Sequence, residues 1–161
     1  MTNEEKIREE LQGRFNDLKD AIVVQRDRRL LMDVPLEKFQ EVFNYLATKA
    51  GFGRLLAITG LDEGVSFGVI YHLGQEEGML LSLRTHIDRQ KPIIKTVTSY
   101  FPAADIYERE LVDLLGIEVL GLAPGLRYPL PDNWPADGGY PLRKDWKGVP
   151  GEEKKQGGVH E

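Results

Sequence analysis

Val65-Ser66-Phe67-Gly68-Val69-Ile70-Tyr71-His72-Leu73 decides the fold class of this chain. Val65, Phe67, Val69, Tyr71 and Leu73 fall on one side of an extended backbone, and Ser66, Gly68 and His72 on the other. That period of two belongs to a strand with one buried face. Met79, Leu81, Leu83, Thr85 and Ile87 repeat it against Ser82, Arg84 and His86, and residues 55–61 are almost wholly apolar. Asp62-Glu63-Gly64 and residues 74–78 are turns short enough to join antiparallel neighbours.

Working outward, the N-terminal side is helical. Thr2 and Glu5 have the spacing of a capping box, and Ile7, Leu11, Phe15 and Leu18 lie on one face of the helix that follows. Residues 21–24 and 30–34 read as short strands paired across the charged turn Gln25-Arg26-Asp27-Arg28. Pro35 suits a first helical position, and Leu36, Phe39, Phe43, Leu46, Ala47 and Ala50 trace a second amphipathic helix stopped by Gly51. The expected fold is α+β, an antiparallel sheet covered on one face by amphipathic helices, spanning residues 1–120. Six of the nine prolines lie in residues 121–150, which excludes long helices and central strands and predicts an extended C-terminal arm. Residues 151–161 are charged and glycine-containing and are expected to be disordered.

Composition narrows the function. A length of 161 residues suits one domain, and 41% hydrophobic with 29% charged residues is ordinary for a globular chain. No apolar run approaches the roughly 18–20 residues of a membrane span. Met1-Thr2-Asn3-Glu4-Glu5 is acidic, the opposite of a targeting leader, so a cytoplasmic setting is expected. The absence of cysteine excludes disulfides, thiolate catalysis and cysteine-held clusters. A net charge of -5 argues against nucleic-acid binding. His72 and His86 are expected about six residues apart along paired strands, or ~20 Å, too far to share a metal, and His160 is in the tail.

The segment from Ala104 to Ile117 sets five charges, Asp105, Glu108, Arg109, Glu110 and Asp113, in a run that otherwise reads as core helix. At helical spacing Asp105, Arg109 and Asp113 form a ladder along one edge, with Glu110 beside it and Tyr107, Leu111, Leu114 and Leu115 towards the core. Glu108 lies off the ladder and is free to face a partner or solvent. Gly116 ends the helix. Three readings compete: a solvated face whose ion pairs contribute a few tenths of a kcal/mol each, an enzyme using the Glu108, Glu110 and Asp113 carboxylates, and a charged docking element. The enzymatic reading has no nearby histidine, cysteine or phosphate loop to support it.

Thr96-Val97-Thr98-Ser99-Tyr100-Phe101-Pro102-Ala103-Ala104 leads into Tyr107-Glu108-Arg109-Glu110 and Asp113-Leu114-Leu115-Gly116-Ile117. Leu126-Arg127, Asp132-Asn133-Trp134 and Pro141-Leu142-Arg143-Lys144-Asp145-Trp146 follow. In this order the segments resemble the small hydrophilic 30-kDa subunit of respiratory complex I (NADH dehydrogenase) and of related membrane-bound hydrogenases. The resemblance covers roughly the second third of the chain and part of the last; the N-terminal half matches only in its α+β pattern. After the helix the family carries Gly-His-Pro-Asp-Leu-Arg-Arg, whereas this chain has Gly121-Leu122-Ala123-Pro124-Gly125-Leu126-Arg127-Tyr128. The lost histidine and second arginine favour a divergent branch, the energy-converting hydrogenases or ferredoxin-linked relatives, over an NADH:quinone oxidoreductase.

The resemblance implies a structural subunit on the cytoplasmic face of the cell membrane, peripheral and held through its complex. It implies no catalytic, cofactor or metal residue in this chain, with iron–sulfur clusters, and nickel–iron in the hydrogenase branch, in neighbouring subunits. The partners implied are a hydrogenase-like large subunit and an iron–sulfur small subunit, with membrane subunits contacted indirectly. Glu108, Arg109, Glu110, Asp113, Gly116, Arg127, Trp134, Pro141, Leu142, Arg143, Lys144, Asp145 and Trp146 are the motif or partner-interface residues. Arg127, Arg143 and Lys144 would pair with partner carboxylates. Trp134, Tyr140 and Trp146 either anchor an interface or fold back onto their own domain, and the proline content of the arm favours the interface. A free-standing carboxylate enzyme and a monomeric adaptor outside redox chemistry are the alternatives from other classes.

Overall fold

The computed structural model describes residues 1–151; the expectation of a disordered tail falls almost wholly outside them. Helix α1 (Asn3–Arg14) opens with the capping box, Glu5 N donating to Thr2 Oγ1 at 3.3 Å and Thr2 N to Glu5 Oε2 at 2.7 Å. A 3-10 segment, Asn16–Ala21, leads into strands β1 (Ile22–Arg26) and β2 (Arg29–Val34). Helix α2 (Leu36–Thr48) follows, then strands β3 (Arg54–Asp62), β4 (Ser66–Gly74) and β5 (Leu80–Asp88). Beyond them lie β6 (Ile93–Lys95), α3 (Ala104–Glu110), a π-helical turn (Leu111–Leu115) and β7 (Glu118–Leu120).

The main sheet has the order β1-β2-β5-β4-β3. Its β1–β2, β3–β4 and β4–β5 pairs are antiparallel, as the short turns require. The β2–β5 pair is parallel, Arg29 opposite Leu80 and Val34 opposite Thr85, so α2 and the β3–β4 hairpin make the crossover between them. β6 and β7 form a separate two-stranded parallel sheet.

Burial follows the alternation from Phe67 onward, whereas Val65, expected on the same side, precedes β4 and is 88% exposed. Leu30 and Met32 of β2, Phe67, Val69, Tyr71 and Leu73 of β4, and Leu81, Leu83 and Ile87 of β5 are fully buried against the helices. Phe39, Val42, Phe43 and Leu46 of α2 close that layer, with ring centroids 4.8 Å apart for Phe39–Tyr71 and 5.4 Å for Phe43–Tyr71. The opposite face carries His72, Ser82, Arg84 and His86, half-buried or exposed. His72 sits opposite Ser82, and His86 opposite Gly68. The two histidines are therefore four residues apart along the sheet, about 13 Å at strand rise, closer than the sequence suggested but still too far to share a metal.

Residues 121–151 contain no helix or strand. They do not form the extended arm expected from their prolines. Turns close at Trp134 N→Pro131 O, Gly138 N→Pro135 O, Arg143 N→Tyr140 O and Trp146 N→Arg143 O, and the segment folds back over α3 and the β3–β4 turn.

Candidate docking face where the two motifs meet

Ala104, Glu108, Leu111 and Leu115 form the buried stripe of the charged helix. Glu108 is on that stripe, fully buried, and does not face solvent or a partner as its place off the charge ladder suggests. Its Oε2 accepts from Thr96 Oγ1 at 2.5 Å and its Oε1 from Val97 N at 2.7 Å. Burial pushes its pKa up, and these two hydrogen bonds only partly offset that. The side chain ties the helix to the segment before it.

Leu111 to Leu115 widen into the π turn, where Leu111 and Leu115 rest on Gly60 of β3; a Cβ there would lie 2.5 Å from Leu115 Cδ1. The wider turn holds more than 3.6 residues, so Asp113 rotates off the ladder. Arg109 accordingly pairs with one carboxylate, not two: Nε meets Asp105 Oδ2 at 2.8 Å and Nη2 meets Asp105 Oδ1 at 2.9 Å. Its Nη2 also donates to Ala123 O at 2.9 Å, and Gly125 packs against the guanidinium. Asp113 is buried against the proline-rich segment, accepting from Leu130 N at 3.2 Å and pairing with Arg127 Nε at 3.6 Å. Glu110 is half-buried, with no hydrogen bond or ion pair among the described residues.

The second motif seats on the end of the first. Gly116 ends the helix in the left-handed region (φ 69°), and a Cβ there would meet Tyr140 Cζ at 2.5 Å and Arg143 Nη2 at 2.7 Å. Arg143 donates from Nε to Leu115 O at 2.7 Å, and its guanidinium lies 4.4 Å from the Tyr140 ring centroid and 5.2 Å from that of Phe67. Leu142 N donates to Leu114 O at 3.0 Å. These bonds satisfy carbonyls that a helix C-terminus leaves open.

Asp62, at the end of β3, completes the seat. Its Oδ2 accepts from Lys144 N at 2.8 Å, and its Oδ1 accepts from Gly64 N at 2.8 Å and Arg89 Nη1 at 2.6 Å. Burial opposes its charge, but these three donors outweigh burial and hold its pKa at about 2. Arg89 also reaches Asp145 at 3.1 Å. Sequence reasoning missed Asp62 and Arg89, and it quoted Thr96 in the motif without assigning it a role. Asp62-Glu63-Gly64 carries the signal of an Asx turn, which says nothing about a remote partner.

Trp134 and Trp146 stack on each other, centroids 6.4 Å apart, and donate their indole N–H groups to Gly139 O and Gly138 O. Together with Tyr140 they fold onto their own chain. A cleft of about 660 Å³ remains between the π turn and this segment, lined by Val112, Asp113, Arg127, Leu130, Trp134 and Tyr140 among others. Leu126 and Leu142 are left outward, 82% and 54% exposed, with Val112, Tyr128 and the Lys144 side chain also on the surface. Among the described residues no group of three His, Asp or Glu side chains is placed to hold a metal, and no helix is long and apolar enough to cross a membrane.

Residues 32–152 match the family described as respiratory-chain NADH dehydrogenase, 30 Kd subunit. The chain belongs to that family. Among its relatives, the C subunit of the NADH-quinone oxidoreductase of Moorella thermoacetica is 32% identical over 144 residues, covering 86% of this chain and 92% of the relative. The membrane-bound hydrogenase subunit beta of Pyrococcus furiosus is 25% identical, covering 98% and 94%. In structure the chain is similar to one in the membrane-bound sulfane sulfur reductase, an archaeal respiratory membrane complex. That match has a TM-score of 0.78 and 28% identity, covering 91% of this chain and 86% of that one. Some family relatives are far longer: the chain matches the C/D subunit of the NADH-quinone oxidoreductase of Phocaeicola vulgatus at 35% identity, covering 71% of this chain and only 22% of that protein.

Proposed function

We propose that this chain is a cofactor-free structural subunit in the cytoplasmic peripheral arm of a complex-I-like, membrane-bound oxidoreductase. It docks and stabilises the large subunit that resembles nickel–iron hydrogenase, beside an iron–sulfur small subunit, and is attached to the membrane only through the complex. The observation that carries this reading is the meeting of the two motifs. Arg109, Asp113, Gly116 and Arg143 all act within the chain, seating the proline-rich segment on the charged helix, and the surface so formed leaves Leu126, Leu142 and the Lys144 side chain exposed. Such a surface, built on fixed elements, lowers the ordering cost of association. A relative in which the same domain is about a fifth of a longer polypeptide supports a role beside another folded unit. Accurate placement matters in such a complex because an error of about 1 Å at a reacting centre can cost ~100-fold in rate.

A hydrogenase or ferredoxin-linked complex is favoured by the departure at residues 121–128 and by the likeness to the sulfane sulfur reductase chain. The 30-kDa subunit of an NADH:quinone oxidoreductase is the second reading, favoured by the identity to the Moorella protein over nearly its whole length. A carboxylate enzyme has less support, since Glu108 is enclosed and Asp113 is engaged by Leu130 and Arg127.

The test is affinity capture of the tagged chain from its native membranes, with mass spectrometry and metal analysis. Co-recovery of a large hydrogenase-like subunit with iron–sulfur subunits is expected. Nickel in the preparation would select the hydrogenase branch and its absence a quinone- or sulfur-linked one. Recovery of the chain alone would overturn the proposal.

A further inference from the structure

The proline-rich segment is held by one carboxylate of the β3–β4 turn, and the neighbouring carboxylate of that turn is held by a histidine. Asp62 accepts the Lys144 amide and pairs with Arg89, which in turn reaches Asp145. Glu63, the next residue, receives His86 Nδ1 on its Oε2 at 2.7 Å and the Ser66 hydroxyl at 3.0 Å. The other ring nitrogen, His86 Nε2, lies 3.2 Å from Asp33 Oδ1 on β2. Arg84 of β5 pairs with the same Asp33. Gly68, directly across from His86, leaves room for Glu63: a Cβ there would come within 2.8 Å of Glu63 Oε1.

We propose that this arrangement is a proton-operated latch, in which His86 as an imidazolium fixes the β3–β4 turn and the turn in turn seats the Pro141–Asp145 motif through Asp62. Both ring nitrogens face carboxylate oxygens, and only the cation donates from both. A neutral ring presents a lone pair to Glu63 or to Asp33, and that contact becomes repulsive. The charged groups facing His86 are Glu63 from the turn and Asp33 from β2, the latter shared with Arg84 from β5. Partial burial pulls the His86 pKa down, but the two carboxylates outweigh it and raise it above the ordinary 6.5. A raised histidine pKa means the clamp is complete at lower pH and is lost as pH rises through the folded value. Asp62, with a pKa of about 2, stays ionised throughout, so the change reaches Lys144 through the shape of the turn and not through a charge on Asp62. His72 supplies an internal contrast. Its ring nitrogens meet the neutral hydroxyls of Thr59 and Ser82, and burial lowers its pKa. The latch belongs to the isolated chain and does not depend on the partner proposed above.

The test is a pH titration of the full chain by NMR from about pH 5.5 to about 9, bracketing the ordinary histidine range, following the His86 and His72 rings and the Lys144 amide. The expected result is a Lys144 amide shift with the His86 midpoint, above that of His72, and faster tryptic cleavage after Arg143 and Lys144 beyond that midpoint. His86→Gln and Glu63→Gln should each remove this titration from the Lys144 amide while that of the His72 ring persists. His86 is 41% exposed, so the first variant is expected to fold; a dispersed spectrum checks both. A Lys144 amide that stays flat while His86 titrates, or one that titrates unchanged in His86→Gln, would overturn the latch.

Discussion

Gly116 lies under Tyr140: its α-carbon is so close to the ring that a methyl group placed on it would meet Cζ at 2.5 Å. The same residue has φ 69°, where any other side chain is strained. Gly116→Ala should therefore lower stability by about 1–3 kcal/mol and unseat Tyr140 and Arg143 together. Chemical denaturation measures the first effect, and tryptic cleavage at Arg143 the second. A variant with wild-type stability and an uncut Arg143 would mean that the two motifs do not depend on this contact.

Glu108 makes a different prediction, because its carboxyl group is inside the protein. Glu108→Ala leaves the Thr96 hydroxyl and the Val97 amide without their acceptor and should cost about 1–3 kcal/mol. Its raised pKa also has a sign. The folded state holds this proton more tightly than the unfolded chain, so the contribution is fully present below the ordinary carboxylate value of 4.5 and fades as pH rises through the raised one. Glu108→Gln should flatten that part of the stability profile, which urea titrations at a series of pH values would reveal. An identical pH slope in the variant would contradict the assignment.

Asp62 has the opposite sign. Its folded pKa of about 2 lies below the ordinary value of 3.8, so its stabilisation is present above that value and is lost as pH falls towards 2. Asp62→Asn keeps an oxygen for the Lys144 amide but loses the charge that Arg89 faces. We expect acid unfolding of the variant to begin from a lower plateau of stability and to depend less on pH between those limits. Circular dichroism during acid titration would show it, and superimposable wild-type and variant curves would refute it.

The motif assigns Arg143 to a partner carboxylate, whereas in the fold it binds Leu115 O and lies between Phe67 and Tyr140. Arg143→Ala should still weaken co-purification with the proposed large-subunit partner, now because the segment carrying Leu142 and Lys144 loses its seat. Arg143→Lys keeps the charge but not the planar group that stacks and donates from Nε. It should restore little of the binding through a salt wash. Full rescue by lysine would show that charge alone matters there, and unchanged co-purification of Arg143→Ala would remove Arg143 from the assembly altogether.

The parts of this fold that could be read from the chain are those written in local periodicity. Alternation of Phe67, Val69, Tyr71 and Leu73 against Ser66, Gly68 and His72 fixed β4 and its buried side, and Thr2 with Glu5 marked the start of α1. The parallel pairing of β2 with β5 left no such trace, because a register between distant strands depends on the whole core and not on a turn. Glu108 was misplaced for a related reason. Its spacing from Ala104, Leu111 and Leu115 is that of a core position, yet its place off the charge ladder left it free to face outward, and the hydrogen bonds from Thr96 and Val97 explain how burial is tolerated. The ladder from Arg109 to Asp113 failed where the π turn changed the residues per turn. The seat at Asp62 was invisible because an Asp-Glu-Gly turn has the same local chemistry whether or not a remote amide lands on it.

The parallel β2–β5 pair has a consequence for how the chain is made. During translation the β1–β2 hairpin leaves the ribosome long before residues 80–88 exist, and until then Leu30 and Met32 have no neighbour along one edge of β2. Two-stranded hairpins are marginal alone. The emerging N-terminal half therefore carries an open, apolar strand edge of the kind that recruits other chains. Synthesis of β5 closes that edge, so a stalled or truncated product ending before residue 80 would be a candidate for aggregation or chaperone capture, while the complete sheet hides the same residues in its interior.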